Sequence, residues 1–523
     1  MNTLHIFDSV KKEKVEFKPI QERKVKIYVC GPTVYDDSHL GHARSAIVFD
    51  LLHRVLKAND YEVTMTKNFT DIDDKIIKKM NDTSKSLEEI TTTYIKAYKA
   101  DMKALNILPN TIEPKATKNL KSMKEMISNL ISKDVAYKTS DSVYFDTSKD
   151  NLYGTLSHKA SDENSIARVE INSEKRNPSD FALWKFEKAN DVSFDAPFGK
   201  GRPGWHIECS AMIEKHLAYK DSQYQIDIHA GGADLLFPHH ENEAAQTRCS
   251  TSGQELAKYW MHNGFVNING EKMSKSLGNS FFLKDVLKSY SGEVIRFYLM
   301  SAHYRANFNF NEEDLIASKK RLDKLYRLKK RIRKIEENYI KLQKDLTYLI
   351  KAKAILIKVY KFKNDNILYH LIQDIEKNEL SKKEYESHIN ENFKKKIINA
   401  LNDDLNTSIT FSIIDEMIEK ANEKLNINEK LNINKKDTNL EKEIFANILF
   451  ISDILGIGHQ YSNSYFQSDI DSKSRNIIEK LKKQRDKAKE SKDFITADKI
   501  RDELKMMGVS LMDTVNGTVW EKL

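Results

Sequence analysis

Residues 24–66 read KVKIYVCGPTVYDDSHLGHARSAIVFDLLHRVLKANDYEVTMT and combine two strand patterns with one helical pattern. The first seven residues alternate in polarity and end at Gly31-Pro32, which is typical of a strand that enters a loop. Apolar residues recur at helical spacing over residues 41–57, and residues 61–66 again predict a strand. Strand, helix and strand in this order form a βαβ unit. Such a unit predicts a parallel sheet that binds ligands at the carboxyl ends of its strands.

The rest of the chain first continues this pattern and then becomes helical. Residues 224–229 and 260–268 predict further strands of the sheet, with a helix beginning near Pro238 between them. Residues 144–190 are irregular, with short strand signals at either end, and we interpret them as an insertion. The alternation of strands and helices therefore predicts an α/β fold class with a Rossmann-like parallel-sheet domain that carries an insertion.

Beyond about Leu283 nearly every segment has helical periodicity. The exception is residues 422–439, which are rich in Asn and Lys and which we expect to form a solvated loop. Residues 474–523 pair a charged helix with a short tail that contains strand-forming residues. The predicted architecture thus continues with a helical bundle and ends in a small C-terminal α/β domain.

The composition excludes several classes of protein. The 523 residues are 40% hydrophobic and 31% charged, as in soluble globular chains. No apolar run approaches the roughly 18 residues needed to span a bilayer, so we expect no membrane association. Three cysteines are too few for a disulfide scaffold, and the N-terminus lacks a signal pattern. These features together predict a cytoplasmic protein.

The net charge of +8 is unevenly distributed. Residues 319–400 hold 23 basic and 11 acidic residues, a local excess of +12. A basic segment attached to a nearly neutral body suggests a polyanionic partner, nucleic acid first. A solvated, lysine-rich helical face has the same composition, so charge alone leaves both interpretations open.

Two short motifs are suited to a polyphosphate ligand. His39, Gly41 and His42 fall between the first strand and the first helix, where glycine permits close approach and the helix N-terminus offers N–H groups. Lys272 and Lys275 belong to the sequence KMSKS, a glycine-bounded loop able to close over a departing pyrophosphate. Either motif alone is also compatible with an ordinary structural role.

Two thiols, an imidazole and a carboxylate form a candidate metal site. Cys30 ends the first strand, and Cys209 lies in the sequence GRPGWHIEC. His239 and Glu243 are four residues apart and would therefore share one helical face. Cysteine, histidine and carboxylate side chains are ligands that suit Zn²⁺.

The residues alone leave two of these ligands open. His240 could replace His239, and Glu241 could replace Glu243, although the four-residue spacing favours the pair of His239 and Glu243. A scattered cysteine is also more often a packing residue than a ligand. The assignment of a metal site therefore depends on the motifs being considered together.

In their order along the chain, the motifs resemble the two signatures of class I aminoacyl-tRNA synthetases, with Leu40 where the first signature usually has Ile. Further stretches resemble the cysteinyl-tRNA synthetase family of that class, over essentially the whole chain. These stretches are CGPTVYD at 30–36, FTDIDDKI at 69–76, FALWK at 181–185, residues 201–212, 229–243 and 272–276, ADKIRDEL at 497–504 and GTVW at 517–520.

The resemblance implies an activity. An enzyme of this family activates L-cysteine with ATP, which carries Mg²⁺, to cysteinyl adenylate and transfers cysteine to the 3′ end of tRNA(Cys). One Zn²⁺ would take the substrate sulfur as a thiolate and so reject serine without an editing domain. We expect a monomer. The competing hypotheses are a cysteine-activating ligase that serves a small amine acceptor and a non-catalytic RNA-binding protein with structural zinc.

The resemblance also implies roles for individual residues. The catalytic residues would be His39, His42, Lys272 and Lys275, and the ATP-binding residues would be Gly41, His39, His42 and Lys275. The zinc ligands would be Cys30, Cys209, His239 and Glu243. The remaining amino-acid pocket would involve Thr70, Trp205 and His229, each of which could equally be a packing residue.

A division of the chain into six parts follows from the same resemblance. The two halves of the catalytic domain would span residues 1–115 and 201–290, the second with the KMSKS loop, and would flank a connective insertion at 116–200. A stem-contact helical region at 291–350 would lead to a tRNA-binding helical bundle at 351–465. The small C-terminal domain at 466–523 would bind the anticodon.

Overall fold

The computed structural model describes residues 3–158, 174–189, 191–268, 271–272, 282–360, 366–430, 438–467, 470–514 and 517–522. The chain divides into two compact units. The first comprises Met1–Ser318 with Ile398–Thr410, and the second comprises Lys319–Ile397 with Phe411–Leu523. Every residue that the sequence marks as a candidate for chemistry falls within the first unit.

The strands of the described ranges are short, as is usual in α/β proteins. In chain order they are β1 His5–Asp8, β2 Glu13–Glu16, β3 Lys24–Val29, β4 Glu62–Lys67, β5 Ala136–Lys138, β6 Ser142–Phe145, β7 Phe181–Phe186, β8 Gly201–Pro203, β9 Tyr224–Gly232, β10 Glu255–Asn263, β11 Val266–Ile268, β12 Glu271–Lys272, β13 Phe308–Phe310, β14 Val509–Thr514 and β15 Gly517–Lys522.

The helices lengthen beyond residue 311. In chain order the α-helices are α1 Leu40–Ala58, α2 Asp74–Thr83, α3 Leu87–Ala104, α4 Leu120–Ser132, α5 Trp205–His216, α6 Glu241–Ser250, α7 Leu283–Ser289, α8 Gly292–Leu299, α9 Glu312–Arg331, α10 Arg333–Tyr360, α11 Asn366–Ser387, α12 Glu391–Leu401, α13 Thr407–Lys430, α14 Thr438–Leu455, α15 Ser462–Phe466, α16 Ser472–Glu490 and α17 Phe494–Met506. Among the helices of the described ranges, none combines the length and the apolar character that crossing a membrane requires.

The central sheet of the first unit has four parallel strands in the order β10-β9-β3-β4. Helix α1 connects β3 to β4, and α6 connects β9 to β10. The two halves meet where β3 pairs with β9, with Tyr28 opposite His229. The strand order therefore reverses between β3 and β9. In open α/β sheets the ligand crevice lies at such a point, outside the carboxyl ends of the strands. The predicted fold class is confirmed.

A buried arginine fixes the first helix of the sheet to the segment that follows β10. Arg44 on α1 has no exposed surface and donates to the carbonyl oxygens of Phe265 and Ala306 at 2.8 and 2.6 Å. Because a buried guanidinium group must find acceptors, these contacts position α1 and its N-terminal loop against the crevice.

A second sheet, antiparallel and in the order β5-β6-β7-β8, forms the inserted part of the first unit. Its strands β6 and β7 coincide with the strand signals seen in the irregular sequence. One apolar cluster joins this sheet to α4 and α5, and its fully buried members include Ile127, Val143, Phe145, Trp184 and Ile207. The insertion thereby supports α5, the helix that carries Cys209.

The second unit is helical and ends in a small α/β element, as the sequence predicts. Strands β14 and β15 form an antiparallel hairpin that packs with α16 and α17. The core of this element comprises Ile478, Ile500, Leu504, Val509 and Trp520.

The strand predicted over residues 260–268 is two strands instead. β10 ends at Asn263, and β11 begins at Val266. A Cβ atom on Gly264 would lie only 2.4 Å from the carbonyl oxygen of Ala306. The backbone near Ala306 therefore passes against Gly264 and interrupts the strand, a long-range contact that local alternation does not reveal.

The helix predicted to begin near Pro238 begins at Glu241. A five-residue π-type turn, Leu236–His240, precedes it, and Phe237 within this turn is extended, with φ −138° and ψ 134°. Residues before a proline avoid the helical region. Proline therefore marks the turn here rather than the first position of the helix.

The solvated loop predicted over residues 422–439 is also wrong in its first part. Helix α13 continues through these residues to Lys430. Ile414, Ile418, Ala421 and Leu425 are buried at intervals of about one helical turn, so the apolar face outweighs the asparagine content. Residues 431–437 lie outside the described ranges.

Asp50 on α1 is the centre of a buried ion network. Its carboxylate accepts from Arg54 at 2.7 Å, from the backbone N–H of Leu108 at 2.7 Å, and from Arg296 on α8. Burial by itself raises the pKa of Asp50, but the two guanidinium groups and the backbone donor outweigh it and lower the pKa. The network ties α1 to α8 and to the segment that follows α3.

We predict that Asp50→Asn lowers the free energy of unfolding at pH 7 by about 3–5 kcal/mol, because it leaves buried guanidinium groups uncompensated. Because the folded-state pKa is depressed, the stability that Asp50 supplies should be present at neutral pH and be lost as pH falls below its unfolded value of about 4. Urea titrations from pH 2 to 7 measure both effects.

The control is Glu125→Gln, which removes the exposed pair with Lys121 and should change stability by less than about 1 kcal/mol. If the two substitutions changed stability equally, the carboxylate of Asp50 would not be needed to balance the buried guanidinium groups.

Candidate active site

Four of the predicted metal ligands converge at the point where the strand order reverses. We call Cys30, Cys209, His239 and Glu243 the donor cluster. One ligand atom from each lies within 4.8 Å of the others. The two sulfur atoms are 3.9 Å apart, and Nε2 of His239 lies 3.7 Å from Sγ of Cys209 and 2.8 Å from Oε1 of Glu243.

Each member of the donor cluster reaches it from a different element. Cys30 follows β3 directly, and its backbone N–H donates to the carbonyl of Ala230 at the end of β9. Cys209 projects from α5, His239 from the π-type turn, and Glu243 from α6. Loops and helices on a parallel sheet thus place groups distant in sequence at one edge.

The glycine after Cys30 is required by its surroundings. A Cβ atom on Gly31 would lie 1.6 Å from the carbonyl oxygen of Asn68, and its N–H donates to the side chain of Asn68 at 2.8 Å. The end of β3 therefore lies so close to the segment after β4 that only glycine fits at position 31. This approach sets the position of Cys30.

The sequence left open His240 in place of His239 and Glu241 in place of Glu243, and the structure treats these two alternatives differently. Nε2 of His240 lies 3.3 Å from Sγ of Cys30, and a second candidate group, Cys30, His229, His240 and Glu243, satisfies the same distance limit. The donor cluster and this second group share two members. Glu241 instead accepts a hydrogen bond from the backbone N–H of Ser157 at 2.8 Å and belongs to neither group.

The charges within the donor cluster compensate one another. Burial by itself raises the pKa of Glu243, but His239 and His229 outweigh it and hold the pKa at about 2. Burial lowers the pKa of His239, but Glu243 and Cys209 raise it to about 10. A hydrogen bond from Cys30 lowers the pKa of Cys209 to about 6, whereas burial raises that of Cys30. Glu243 and Cys209 therefore favour their anionic forms, which are the forms that bind metals.

The three residues predicted to complete the amino-acid pocket have different surroundings. The ring of Trp205 stacks on that of His239 with centroids 4.1 Å apart, and Trp205 is 40% exposed. His229 approaches Oε2 of Glu243 at 2.7 Å and is fully buried. Thr70 is buried and donates to Oε2 of Glu208 at 3.0 Å, which places it beside the helix of Cys209.

Residue patterns did not identify His206 and His262, which form a second layer of histidines behind His239 and His240. Nδ1 of His206 lies 2.8 Å from Nδ1 of His239, and Nδ1 of His240 lies 2.8 Å from Nε2 of His262. Burial lowers the pKa of His206, His240 and His262, so these rings favour the neutral form. The signal available was the position of His206 three residues before Cys209, which puts both on one face of a helix.

A cleft of about 760 Å³ opens beside the donor cluster. Its wall includes Cys30, Gly41 and Trp205, together with both histidines of the first signature. It is also lined by residues of α2 and by the segment 263–266 after β10. The cleft thus contains the predicted polyphosphate motif and one of the predicted metal ligands, Cys30.

His39 caps the first helix with its own side chain. Its Nδ1 accepts from the backbone N–H groups of Gly41 and His42 at 3.1 and 3.4 Å, and the His39 N–H donates to Nδ1 of His42 at 3.3 Å. The two rings stack with centroids 3.8 Å apart. Two helix N–H groups that the sequence suggested for phosphate are therefore used by this cap. A neutral ring whose Nδ1 accepts carries its proton on Nε2, so Nε2 is the atom of each ring that donates to an anion.

The second signature is only partly described. The backbone of Lys272 ends β12, which pairs with β11. Lys275 lies outside the described residues. Their predicted roles remain predictions.

Comparisons with known proteins identify the family. A family model described as tRNA synthetases class I (C) catalytic domain matches residues 16–320. The chain is 72% identical over 523 residues to the Cysteine--tRNA ligase of Aliarcobacter butzleri (strain RM4018), covering 100% of both chains. The chain belongs to the cysteine--tRNA ligase family. It is also 56% identical over 520 residues to the Cysteine--tRNA ligase of a Nitratiruptor species, covering 99% of this chain and all of that relative.

A solved structure supports the fold of the family. Mycobacterium tuberculosis methionyl-tRNA synthetase in complex with methionyl-adenylate aligns with a TM-score of 0.55 over 85% of this chain and 94% of that chain. The identity is 12%, so this likeness concerns the fold alone. The resemblance drawn from the sequence motifs is confirmed.

We predict that stability measurements detect the role of the His39 side chain as the N-cap of α1. His39→Asn retains an N-cap acceptor and should leave the free energy of unfolding nearly unchanged. His39→Ala removes the cap and should cost about 1 kcal/mol. Ser86→Ala, which removes the capping box of α3 outside the cleft, is the matched control and should cost a similar amount. Equal stability of His39→Ala and His39→Asn would contradict the capping role.

Proposed function

We propose that this protein attaches L-cysteine to tRNA(Cys) in two steps. A carboxylate oxygen of cysteine attacks the α-phosphorus of ATP, the bond to the bridging oxygen breaks, and pyrophosphate leaves, which forms cysteinyl adenylate. A hydroxyl group of the 3′-terminal ribose then attacks the adenylate carbonyl carbon, the bond from that carbon to the phosphate oxygen breaks, and AMP leaves with its phosphate taking up the hydroxyl proton. The observation that carries the proposal is the donor cluster, whose member Cys30 lines the same cleft as the first signature motif.

The donor cluster fits Zn²⁺ by its chemistry. Two sulfur atoms, an imidazole nitrogen and a carboxylate oxygen are the ligand types that this borderline-soft ion accepts. Zinc held there supplies a position that takes the substrate sulfur as a thiolate and discriminates against the harder hydroxyl of serine. His239 gives up its proton when it ligates, and His206 and Trp205 hold its ring in place through the contacts described above.

The first signature supplies donors to ATP, which enters with Mg²⁺. The stacked rings of His39 and His42 present Nε2–H groups to the negative charge that moves onto the leaving pyrophosphate. Gly41 permits the nucleotide to approach the start of α1. Lys272 and Lys275 close over the phosphates, a role that rests on the family motif. Positioning and charge neutralisation carry this step, so it requires no general base.

Of the three residues predicted for the rest of the amino-acid pocket, Trp205 is the one that lines the cleft. Trp205 presents a partly exposed face beside the metal ligands, which suits contact with the substrate. His229 orients Glu243, and Thr70 orients Glu208, so these two act through their neighbours. A buried hydrogen bond to a ligand fixes its direction and raises the specificity of the site.

Transfer requires that tRNA binds elsewhere on the chain. The six-part division set out from the sequence assigns the helical region at 291–350 to the tRNA stem, and it treats residues 116–200 as a connective insertion. It assigns the bundle at 351–465 to tRNA binding and the domain at 466–523 to the anticodon. The excess of basic residues over 319–400 supports phosphate contacts. We also propose a cytoplasmic monomer, consistent with three cysteines that form no disulfide.

We predict that Cys209→Ser loses bound zinc and lowers cysteine-dependent ATP–pyrophosphate exchange by more than about 100-fold, since it removes a direct ligand. Cys249→Ser is the matched control, because Cys249 lies outside the donor cluster, and it should retain both properties. Metal analysis and exchange assays measure the two effects. Stoichiometric zinc together with normal exchange in Cys209→Ser would refute the zinc site.

The same assays separate the two overlapping ligand groups. His239→Asn should lose zinc, whereas His240→Asn should retain more of it. The reverse order would assign the metal to the second group. Charging assays with a tRNA pool then distinguish tRNA from a small amine as the acceptor, since only a tRNA ligase accumulates labelled cysteine on RNA.

We predict that tRNA affinity falls steeply with salt while cysteine-dependent exchange without RNA changes little. Lys320→Ala with Lys324→Ala removes two exposed, adjacent ammonium groups of α9. It should reduce the slope of log affinity against log salt by about 1–2. Lys121→Ala on α4 is the control. An unchanged slope in the double variant would mean that this face of α9 is only solvated.

A further inference from the structure

A buried lysine at the carboxyl edge of the central sheet has no role in the account above. Lys67 is the last residue of β4, opposite Val29 on β3, and it is 8% exposed. The family motif begins beyond it, at Phe69. Its side chain lines the cleft described above and also a second cavity of about 390 Å³ between α1 and α3.

The charge of Lys67 has no counter-ion in the described part of the chain. The contact found for its ammonium group is the ring of Tyr98, whose centroid lies 5.5 Å away. The carboxylates on the wall of the second cavity are already paired, Asp50 with Arg54 and Glu113 with Lys99. An ammonium group held on the wall of a cleft without an anionic partner leaves its charge available to an anionic ligand that enters the cleft.

The position of Lys67 identifies the chemistry of that ligand. Lysine side chains bind oxyanions through up to three donors. The cleft that Lys67 lines also contains the two signature histidines, and Cys30 follows the neighbouring strand. The oxyanions that meet in such a cleft during adenylate formation are the triphosphate of ATP and the carboxylate of the amino acid.

We propose that Lys67 is an oxyanion-binding residue of the activation step, with its ammonium group contacting the ATP phosphates or the reacting carboxylate. The proposal rests on the proposed function for the identity of the reaction. No proton is transferred: Lys67 stays protonated while the carboxylate attacks phosphorus and pyrophosphate leaves. Its contribution is electrostatic, made by a charge that β4 already holds at the cleft before the reactants bind.

The test compares Lys67→Met, Lys67→Arg and the control Lys103→Met. Lys103 is an exposed lysine that lines the second cavity but not the cleft. In Lys67→Met we expect kcat/KM of cysteine-dependent exchange to fall by about tenfold or more, because a hydrogen bond to a charged group is lost. We expect its unfolding midpoint in urea to equal or exceed that of the natural protein. Lys67→Arg should recover part of the activity, and Lys103→Met should match the natural protein in both.

Two measurements identify which oxyanion Lys67 binds. Weaker equilibrium binding of ATP without cysteine in Lys67→Met assigns the triphosphate. Unchanged ATP binding with a raised KM for cysteine assigns the carboxylate.

Exchange within twofold of the natural protein would overturn the proposal. Loss of folding in Lys67→Met would also overturn it, because the lysine would then serve the fold. If the natural protein shows no cysteine-dependent exchange, the proposed function fails, and ATP binding still tests Lys67.

Discussion

The fully buried carboxylate of Glu243 imposes the constraint around which the first unit is built. A carboxylate without solvent is costly unless cations or hydrogen-bond donors surround it. His239 and His229 provide these at 2.8 and 2.7 Å, one from the turn before α6 and the other from β9. Cys209 on α5 then shares the charge of His239. Compensation of one buried charge therefore requires a sheet strand, a turn and two helices to hold fixed positions.

Local patterns predicted the elements that this arrangement uses, but not where long-range contacts interrupt them. The alternation over residues 24–30 and the helical spacing over 41–57 correspond to β3 and α1 within about one residue. The predicted strand over 260–268 was wrong because the backbone at Ala306 presses on Gly264, more than 40 residues away in sequence. The asparagine-rich end of α13 was misjudged because composition was given more weight than its buried apolar face.

The candidate site likewise combines residues that local sequence patterns predict with residues that only long-range contacts bring together. Cys30 and Cys209 are 179 residues apart, so no spacing rule brings them together, and only the family resemblance did so. The choice between His239 and His240 assumed an α-helix in which neighbouring rings diverge. The turn at Leu236–His240 is not a regular helix, because Phe237 within it is extended, and both rings approach a cysteine of the cluster. Adjacent histidines are therefore a stronger signal of a layered metal site than either is alone.

Some unsatisfied polar atoms lie near the point where the two halves of the sheet meet. In the described part of the chain, Oε1 of Glu208 and Nδ1 of His229 and of His262 are among the atoms buried without a hydrogen-bond partner. Natural cores contain few such atoms because each costs about 1–3 kcal/mol. Because these atoms lie close to the donor cluster, this edge of the sheet lowers the stability of the fold. The apolar clusters of the insertion and of the sheet offset that cost, which is how a well-packed fold can hold a site whose polar groups are complete only when its ligands are bound.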